Sequence, residues 1–297
     1  MSVTKHIMTS IRWYFNSGKW NPSAADWVRA AQRVQPEEKD RIGKFVFKKD
    51  AKSSMIGRLM LRRMLHRLTK IPYADIRLAR TEKGKPYLTN ELPPDFVSLS
   101  FNVSHHGDLV VLAGELACDV GIDVMKLETP VGAQTVQDFF HTMRRQFTAE
   151  EWACIRQGTD DREQLNTFYR LWCLKESYVK TLGVGIGFEV KRLSFTLRDS
   201  LTADGGNVHS TVLAVDGSPA LGWEFSETMI EDHCVAVARK LGGDVKSFLS
   251  KEERLHNVST FQSLTFEELL EGSVPLSEPD ELYGNIFISK KENPWST

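Results

Sequence analysis

Trp172-Cys173-Leu174-Lys175-Glu176-Ser177-Tyr178-Val179, with Lys180 directly after, sets a carboxylate between two lysines inside an otherwise apolar run. The periodicity predicts a helix here from about Phe168. At 100° per residue Phe168, Trp172, Glu176 and Val179 share one face, and Lys180 lies one turn on from Glu176. That stripe is due for burial, and a buried carboxylate needs a cation, a metal or a shifted pKa. The plainer alternative is a Glu176–Lys180 ion pair on a half-exposed helix.

A second carboxylate sits in Val120-Gly121-Ile122-Asp123-Val124-Met125. Strand alternation puts Val120, Ile122 and Val124 on a buried face and Gly121, Asp123 and Met125 on the other. Aspartate is disfavoured inside strands, so Asp123 either caps a turn at the strand end or is functional. Taken together, Asp123 and Glu176 are two acids on rigid elements, the arrangement Mg²⁺ uses when substrate phosphates and waters complete its octahedron. Two acids are too few for a dedicated protein cage, which favours a metal that arrives with a phosphate ligand.

Two further segments carry polar chemistry. Arg80-Thr81-Glu82-Lys83-Gly84-Lys85-Pro86, with Arg77 just before it, is a basic turn opened by glycine. It offers an anion backbone N–H groups and cationic side chains, or is simply a solvated hairpin turn. The spacing of a Walker A loop is absent. Phe101-Asn102-Val103-Ser104-His105-His106 brings Asn102, Ser104 and His105 to a strand-to-turn junction, suited to phosphate or amide contacts or merely to a polar hairpin.

The elements that must position these groups read as follows. Ile11 to Phe15 is an opening strand, Ser23 caps a short helix through Trp27 and Val28, and Pro36-Glu37-Glu38 starts another. Asp50 to Lys70 is a long helix with an apolar stripe of Met60, Leu61, Met64, Leu65 and Leu68. Its opposite side carries Arg62, Arg63, His66, Arg67 and Lys70, a basic face that is either solvated or steers an acidic partner. Short strands at Ile76–Leu78 and Tyr87-Leu88 flank the basic turn. A hairpin joins Phe101–Val103 to Leu109–Gly114, and Asp119 to Val124 leads into the second half. There the order repeats. Phe147-Thr148-Ala149-Glu150-Glu151 is a capping signal like Gln35-Pro36-Glu37-Glu38, and Arg-Leu follows about twenty residues later in both halves, as Arg58-Leu59 and Arg170-Leu171. Strands are expected at Leu193–Leu197, His209–Val215, Gly222–Phe225 and Cys234–Ala238.

The fold class expected is α+β, a pseudo-two-fold duplication of two similar halves, each a small antiparallel sheet packed with a long helix. The halves are residues 1–116 and 117–241, with 242–297 a partly packed tail rich in Ser, Glu and Pro. Met64 takes the place of Glu176 in the first half, which predicts a single site. The 297 residues suit two units of ordinary size, and 41% hydrophobic with 26% charged residues is a globular composition. A net charge of −1 gives no global attraction to nucleic acid or anionic membrane. Tryptophans interleave with apolar patterns rather than basic stripes, against a nucleic-acid binder. Four scattered cysteines argue against zinc and a disulfide framework, and no apolar stretch approaches a membrane span, so the cytosol is the default.

The RTEKGKP turn, FNVSHH, GIDVMK and WCLKESYVK, in this order and spacing, resemble the 4′-phosphopantetheinyl transferases of the two-domain, Sfp-like type, and within them the animal branch. The resemblance implies Mg²⁺-dependent transfer of 4′-phosphopantetheine from coenzyme A to a serine of a carrier protein, releasing adenosine 3′,5′-bisphosphate. It implies that Asp123 and Glu176 bind Mg²⁺ and that Lys180 neutralises a phosphate oxygen with Lys175 assisting. Arg41 with Arg80, Thr81, Glu82, Lys83, Gly84 and Lys85 would hold the nucleotide and its 3′-phosphate, and Asn102, Val103, Ser104 and His105 would line the same pocket. Many bacterial relatives place a third acid where this chain has Met125, which suggests a water there instead. Glu176, directly or through a water, is the candidate base for the serine hydroxyl. The implied partners are the carrier domain of fatty acid synthase, a mitochondrial-type acyl carrier protein and aminoadipate-semialdehyde dehydrogenase-like carrier domains, met by a monomer. A non-catalytic coenzyme A-binding regulator of a carrier-protein synthase is the rival reading; it has no reason to keep both Asp123 and Glu176.

Overall fold

Residues 10–92, 99–116, 118–129, 132, 135–202, 205–242 and 258–294 are described by the computed structural model. Strand β1 (Ser10–Asn16) opens the described chain. Helix α1 (Ala24–Ala31) starts at Ser23, whose hydroxyl accepts from the Asp26 N–H while its own N–H donates back to the Asp26 carboxylate. Proline at the first position begins α2 (Pro36–Gly43), and the 22-residue α3 (Lys48–Thr69) follows. Next come β2 (Leu78–Arg80), β3 (Pro86–Leu88), β4 (Leu99–His106), β5 (Leu109–Leu116) and β6 (Cys118–Lys126). Helices α4 (Val136–Met143), α5 (Ala149–Ile155) and the 22-residue α6 (Asp161–Leu182) precede β7 (Leu193–Thr196), β8 (Val212–Val215), β9 (Ser218–Pro219), β10 (Trp223–Ile230) and β11 (His233–Leu241). Strand β12 (Gln262–Ser263) and helices α7 (Phe266–Leu270) and α8 (Glu281–Ser289) close the described chain.

Several expectations shift in detail. The helix carrying Glu176 begins at Asp161, capped by the Asp160 carboxylate accepting from Glu163 N–H at 2.8 Å, well before Phe168. Thr148 and Glu151 form the expected capping box at α5, but Gln35 makes no side-chain cap at α2. Its amide instead accepts from Leu78 N–H at 2.8 Å and donates to Leu78 C=O at 3.1 Å, fastening β2. The expected tail contains two helices, α7 with its own capping box at Thr265 and α8. Five and nine residues are too few for a helical period to show in sequence. Phe287 of α8 stacks on Trp27 of α1 with ring centroids 3.7 Å apart. Residues 243–257 and 295–297 of that tail lie outside the described residues.

The chain divides into two compact units. One comprises Ile11–Pro94, Val103–Leu112 and Phe261–Thr297 and holds a four-stranded sheet in the order β12-β1-β5-β4. Its β12 pairs with β1 in parallel, Trp13 opposite Gln262, so this sheet is mixed rather than purely antiparallel. Helix α3 is buried along most of its length, with Met55, Ile56, Leu59 and Met60 fully enclosed. Its basic face is therefore not what the periodicity suggested. Arg62 is 1% exposed and donates to the carbonyls of Tyr73 and Ile76, and Arg63 pairs with Glu271 at 2.7 Å. Only Arg67 and Lys70 of the five remain exposed.

The other unit comprises Met1–Ser10, Asp95–Asn102 and Ala113–Thr260. Its three-stranded antiparallel sheet, β10-β11-β6, carries α6 across one face, and β7-β8-β9 forms a second small sheet. Phe140, Phe147, Trp152, Phe168 and Tyr169 make its aromatic core. The pair α2–α3 of the first unit recurs here as α5–α6: a short helix, then one of 22 residues that ends on a left-handed residue, Lys70 (φ 60°) or Gly183 (φ 68°). No helix among the described residues is long and apolar enough to cross a membrane.

Candidate active site

Gly121 decides how closely α6 lies on β6. A Cβ at that position would stand 2.2 Å from Ser177 C=O and 2.4 Å from Thr181 N, so only glycine lets the helix backbone rest on the strand. Thr181 then bridges the two layers, donating to Ser177 C=O at 2.9 Å and to Ala238 C=O at 3.3 Å. Asp123 stands two residues along the same strand face as Gly121 and is 5% exposed. Glu176 and Lys180 each precede one of the helix residues that touch Gly121. The close approach thus delivers both to Asp123.

Lys180 Nζ donates to Asp123 Oδ1 over 2.6 Å. The ion pair therefore joins helix to strand, where the plainer sequence reading had an i,i+4 pair within the helix. Glu176 is half-buried, and its carboxyl is held above the usual carboxylate range by burial and then by the negative charge of Asp123, partly offset by Lys180. Two acids close enough for Asp123 to raise the proton affinity of Glu176, beside a single lysine, form a donor set suited to a hard cation. Among the described residues no group of three or more His, Cys, Asp or Glu could hold a metal ion, so protein oxygens alone make only part of a coordination shell. Met125, two residues beyond Asp123, packs against the aromatic core and adds no ligand.

Two residues expected at the ligand have partners within the fold. Lys175 is fully buried, 2.8 Å from Glu151, and donates to the carbonyls of Val190 at 2.9 Å and Leu193 at 2.6 Å. Glu151 in turn accepts from the N–H groups of Thr148 at 2.9 Å and Phe195 at 3.0 Å. Lys175 is a pin between α6, α5 and β7, with no surface left for a phosphate. Asn102 is buried, and its Oδ1 accepts from Ile122 N–H at 3.2 Å while Ser100 Oγ accepts from Val120 N–H at 3.0 Å. Alternate side chains of β4 thereby hold the outer edge of β6 beside Asp123.

In the first unit the basic turn joins β2 to β3, with Gly84 at φ 82°. Its backbone is occupied internally: Thr81 N–H donates to Lys85 C=O, Gly84 N–H to Thr81 C=O, and Lys85 N–H to Thr81 Oγ1. Those three N–H groups are therefore not offered to an anion. The side chains of Glu82, Lys83 and Lys85 are exposed or half-buried around it. Arg80 and Arg41 share one partner that sequence reasoning overlooked, the buried carboxylate of Glu38, which also receives Arg58. Glu38 read as a favourable charge in the first turn of α2, and Arg58 only as a repeat marker; a polar pair across 20 residues leaves no local pattern. On β4, Ser104 is buried and His105 exposed, on opposite strand faces, and Val103 is half-buried. These residues belong to the strand itself, since the turn is at Gly107-Asp108.

Two family models cover these segments. One described as 4′-phosphopantetheinyl transferase, N-terminal, matches residues 18–117, and one described as the 4′-phosphopantetheinyl transferase superfamily matches residues 119–238. The chain is similar to the L-aminoadipate-semialdehyde dehydrogenase-phosphopantetheinyl transferase of Homo sapiens, 42% identical over 97% of this chain and 94% of that one. It is 41% identical to the protein of the same name from Mus musculus, over 96% and 93%. More distantly, it is 29% identical to the 4′-phosphopantetheinyl transferase Sfp of Bacillus subtilis over 55% of this chain and 66% of that one.

Proposed function

The chain belongs to the 4′-phosphopantetheinyl transferase superfamily, and from that premise we propose that it moves 4′-phosphopantetheine from coenzyme A to a serine of carrier-protein domains. The observation that carries the reading is the Asp123–Lys180 ion pair with Glu176 raised beside it, two acids and one base on a rigid strand and helix. Asp123 and Glu176 are the residues that would hold Mg²⁺, which when bound supplies positive charge to the diphosphate of coenzyme A.

The serine Oγ attacks the phosphorus that bears the pantetheine. The bond from that phosphorus to the bridging oxygen breaks, and adenosine 3′,5′-bisphosphate leaves with the electron pair. A serine hydroxyl is a weak nucleophile at neutral pH, and Glu176, whose burial raises its proton affinity, takes its proton. Lys180 steadies the charge that gathers on the phosphoryl oxygens, and Asp123 orients Lys180. The leaving phosphate is a weak base and demands no strong acid. Arg41, Arg80 and the side chains of the Lys83–Lys85 turn hold the nucleotide end. Carrier domains of the fatty acid synthase, mitochondrial and aminoadipate-semialdehyde dehydrogenase kinds are the acceptors.

The test is incubation of the purified protein with coenzyme A, Mg²⁺ and an apo carrier domain, followed by mass spectrometry. The expected result is one phosphopantetheine group on the carrier serine, lost when that serine is alanine. An unmodified carrier from each of the three classes would overturn the proposal.

A further inference from the structure

Glu38 is a carboxylate in the wrong place for an anion site. It lies in α2, its side chain 9% exposed, and accepts from Arg41 Nε at 2.8 Å and Arg80 Nε at 2.9 Å, while Arg58 Nη2 stands 2.5 Å away as an ion-pair partner. A second bond from Arg80 Nη2 at 3.3 Å makes that contact bidentate. The arginines differ in exposure. Arg58 is 3% exposed, whereas Arg41 and Arg80 show 36% and 34% of their side chains to solvent. Arg41 is braced further by Ser54 Oγ, and Arg80 by Gly84 C=O at 3.0 Å. One enclosed carboxylate and one enclosed guanidinium thus form a base from which two guanidiniums face outward, fixed relative to each other.

The charges explain why a carboxylate belongs there. Three guanidiniums against one carboxylate leave two positive charges, the complement of one phosphomonoester dianion. Without Glu38, three like charges repel and the long Arg41 and Arg80 side chains lose the partner that selects one rotamer each. Burial opposes the Glu38 carboxylate, but the hydrogen bond from Arg80, the charge of Arg58 and the hydrogen bond from Arg41 outweigh it and bring its pKa down to about 2. The carboxylate is therefore ionised throughout the neutral range.

We infer that Glu38 is a positioning residue that sets Arg41 and Arg80 as a two-pronged receptor for a terminal phosphate monoester, and so gives the enzyme its preference for coenzyme A over 3′-dephospho-coenzyme A. The inference rests on the reading that Arg41 and Arg80 hold the nucleotide end of coenzyme A. Glu38 itself touches no substrate.

The experiment measures carrier loading with coenzyme A and with 3′-dephospho-coenzyme A for wild type and for Glu38→Gln, Glu38→Gln/Arg58→Met and Arg80→Ala. Glu38→Gln is expected to raise KM for coenzyme A about tenfold or more, a size typical of a displaced binding group, with a much smaller effect on kcat and on KM for the dephospho form. The double variant removes the buried cation along with the buried anion and is expected to recover thermal stability. Its KM for coenzyme A should stay high, because Arg41 and Arg80 still lack their common partner. Recovery of wild-type KM in the double variant would make Glu38 a merely structural residue and overturn the inference. Equal rises in KM for both substrates in Glu38→Gln would do the same. Arg80→Ala separates the two levels of argument. If it leaves the ratio of the two KM values unchanged, the cluster does not hold the nucleotide phosphate and the parent reading falls with it; if it collapses the ratio while Glu38→Gln does not, only the role of Glu38 falls.

Discussion

Gly121→Ala is the substitution that most directly asks whether the site is built by a close approach of helix and strand. The added Cβ would lie 2.2 Å from Ser177 C=O, 2.4 Å from Thr181 N and 2.6 Å from Thr181 Oγ1, two of them backbone atoms that no rotamer change moves aside. Ordinary contact begins near 3.4 Å, so α6 must retreat from β6 by more than an ångström at this point. Overpacking of this kind costs about 1–3 kcal/mol, or roughly 2–12 °C in the melting of a unit of this size. The functional loss should be larger than the stability loss. Glu176 and Lys180 neighbour the two displaced residues, and the Lys180–Asp123 bond of 2.6 Å has no slack to follow. A misplacement of about an ångström costs on the order of a hundredfold in rate. The assay is carrier loading under saturating coenzyme A, paired with thermal unfolding. Gly187→Ala serves as control, because a Cβ there meets nothing within 4 Å, and it should leave both quantities near wild type. Wild-type turnover in Gly121→Ala would refute the reasoning, since the strand would then carry Asp123 to its partners without the contact that glycine permits.

Glu176→Gln should lower turnover about a hundredfold or more. It should leave the melting temperature equal or higher, because burial and Asp123 already disfavour the charged form; a variant with near-wild-type turnover would remove Glu176 from the chemistry. Lys175→Met strands the Glu151 carboxylate in the core and should cost about 3–5 kcal/mol in urea unfolding, as broken buried pairs do. An unchanged urea midpoint would show that the pair is not what ties α5 to α6. Acid stability supplies a third check. The Glu38 carboxyl is depressed to about 2 from an ordinary 4.5, so the folded state binds fewer protons there than the unfolded one. Its contribution is complete above about pH 4.5 and disappears as pH falls toward about 2. Glu38→Gln should flatten the pH dependence of the urea midpoint across that window, and parallel curves for variant and wild type would refute the assignment.

The sequence made some of this legible because periodicity and capping are local. Ser23, Thr148 and the two long helices could be read from spacing alone, as could Asp123 and Glu176 as acids that need company. Contacts between distant stretches were not legible. The burial of Arg62, the pairing of Arg63 with Glu271 and the sharing of Glu38 by three arginines each depend on elements far apart in the chain. A basic helical face looks the same in sequence whether water or a carbonyl receives it.

Lys175 and Glu176 show why even a strong motif underdetermines its own chemistry. They are neighbours on α6, turned 100° apart, and that rotation is enough to separate their fates. Lys175 enters the core and holds α6 to Glu151 and to the chain before β7, while Glu176 looks toward β6 and Asp123. The two roles are linked, since the pin at Lys175 fixes the helix phase that aims Glu176. Glycine at 121 fixes the helix height, and Lys180 on Asp123 fixes its register. Three contacts, each made by a residue beside a candidate catalytic group or by one of those groups, thus locate one rigid helix in rotation, distance and translation. A lysine next to a glutamate is therefore no evidence that both meet the substrate; the neighbour of a functional residue is where the fold has most to gain from a structural one.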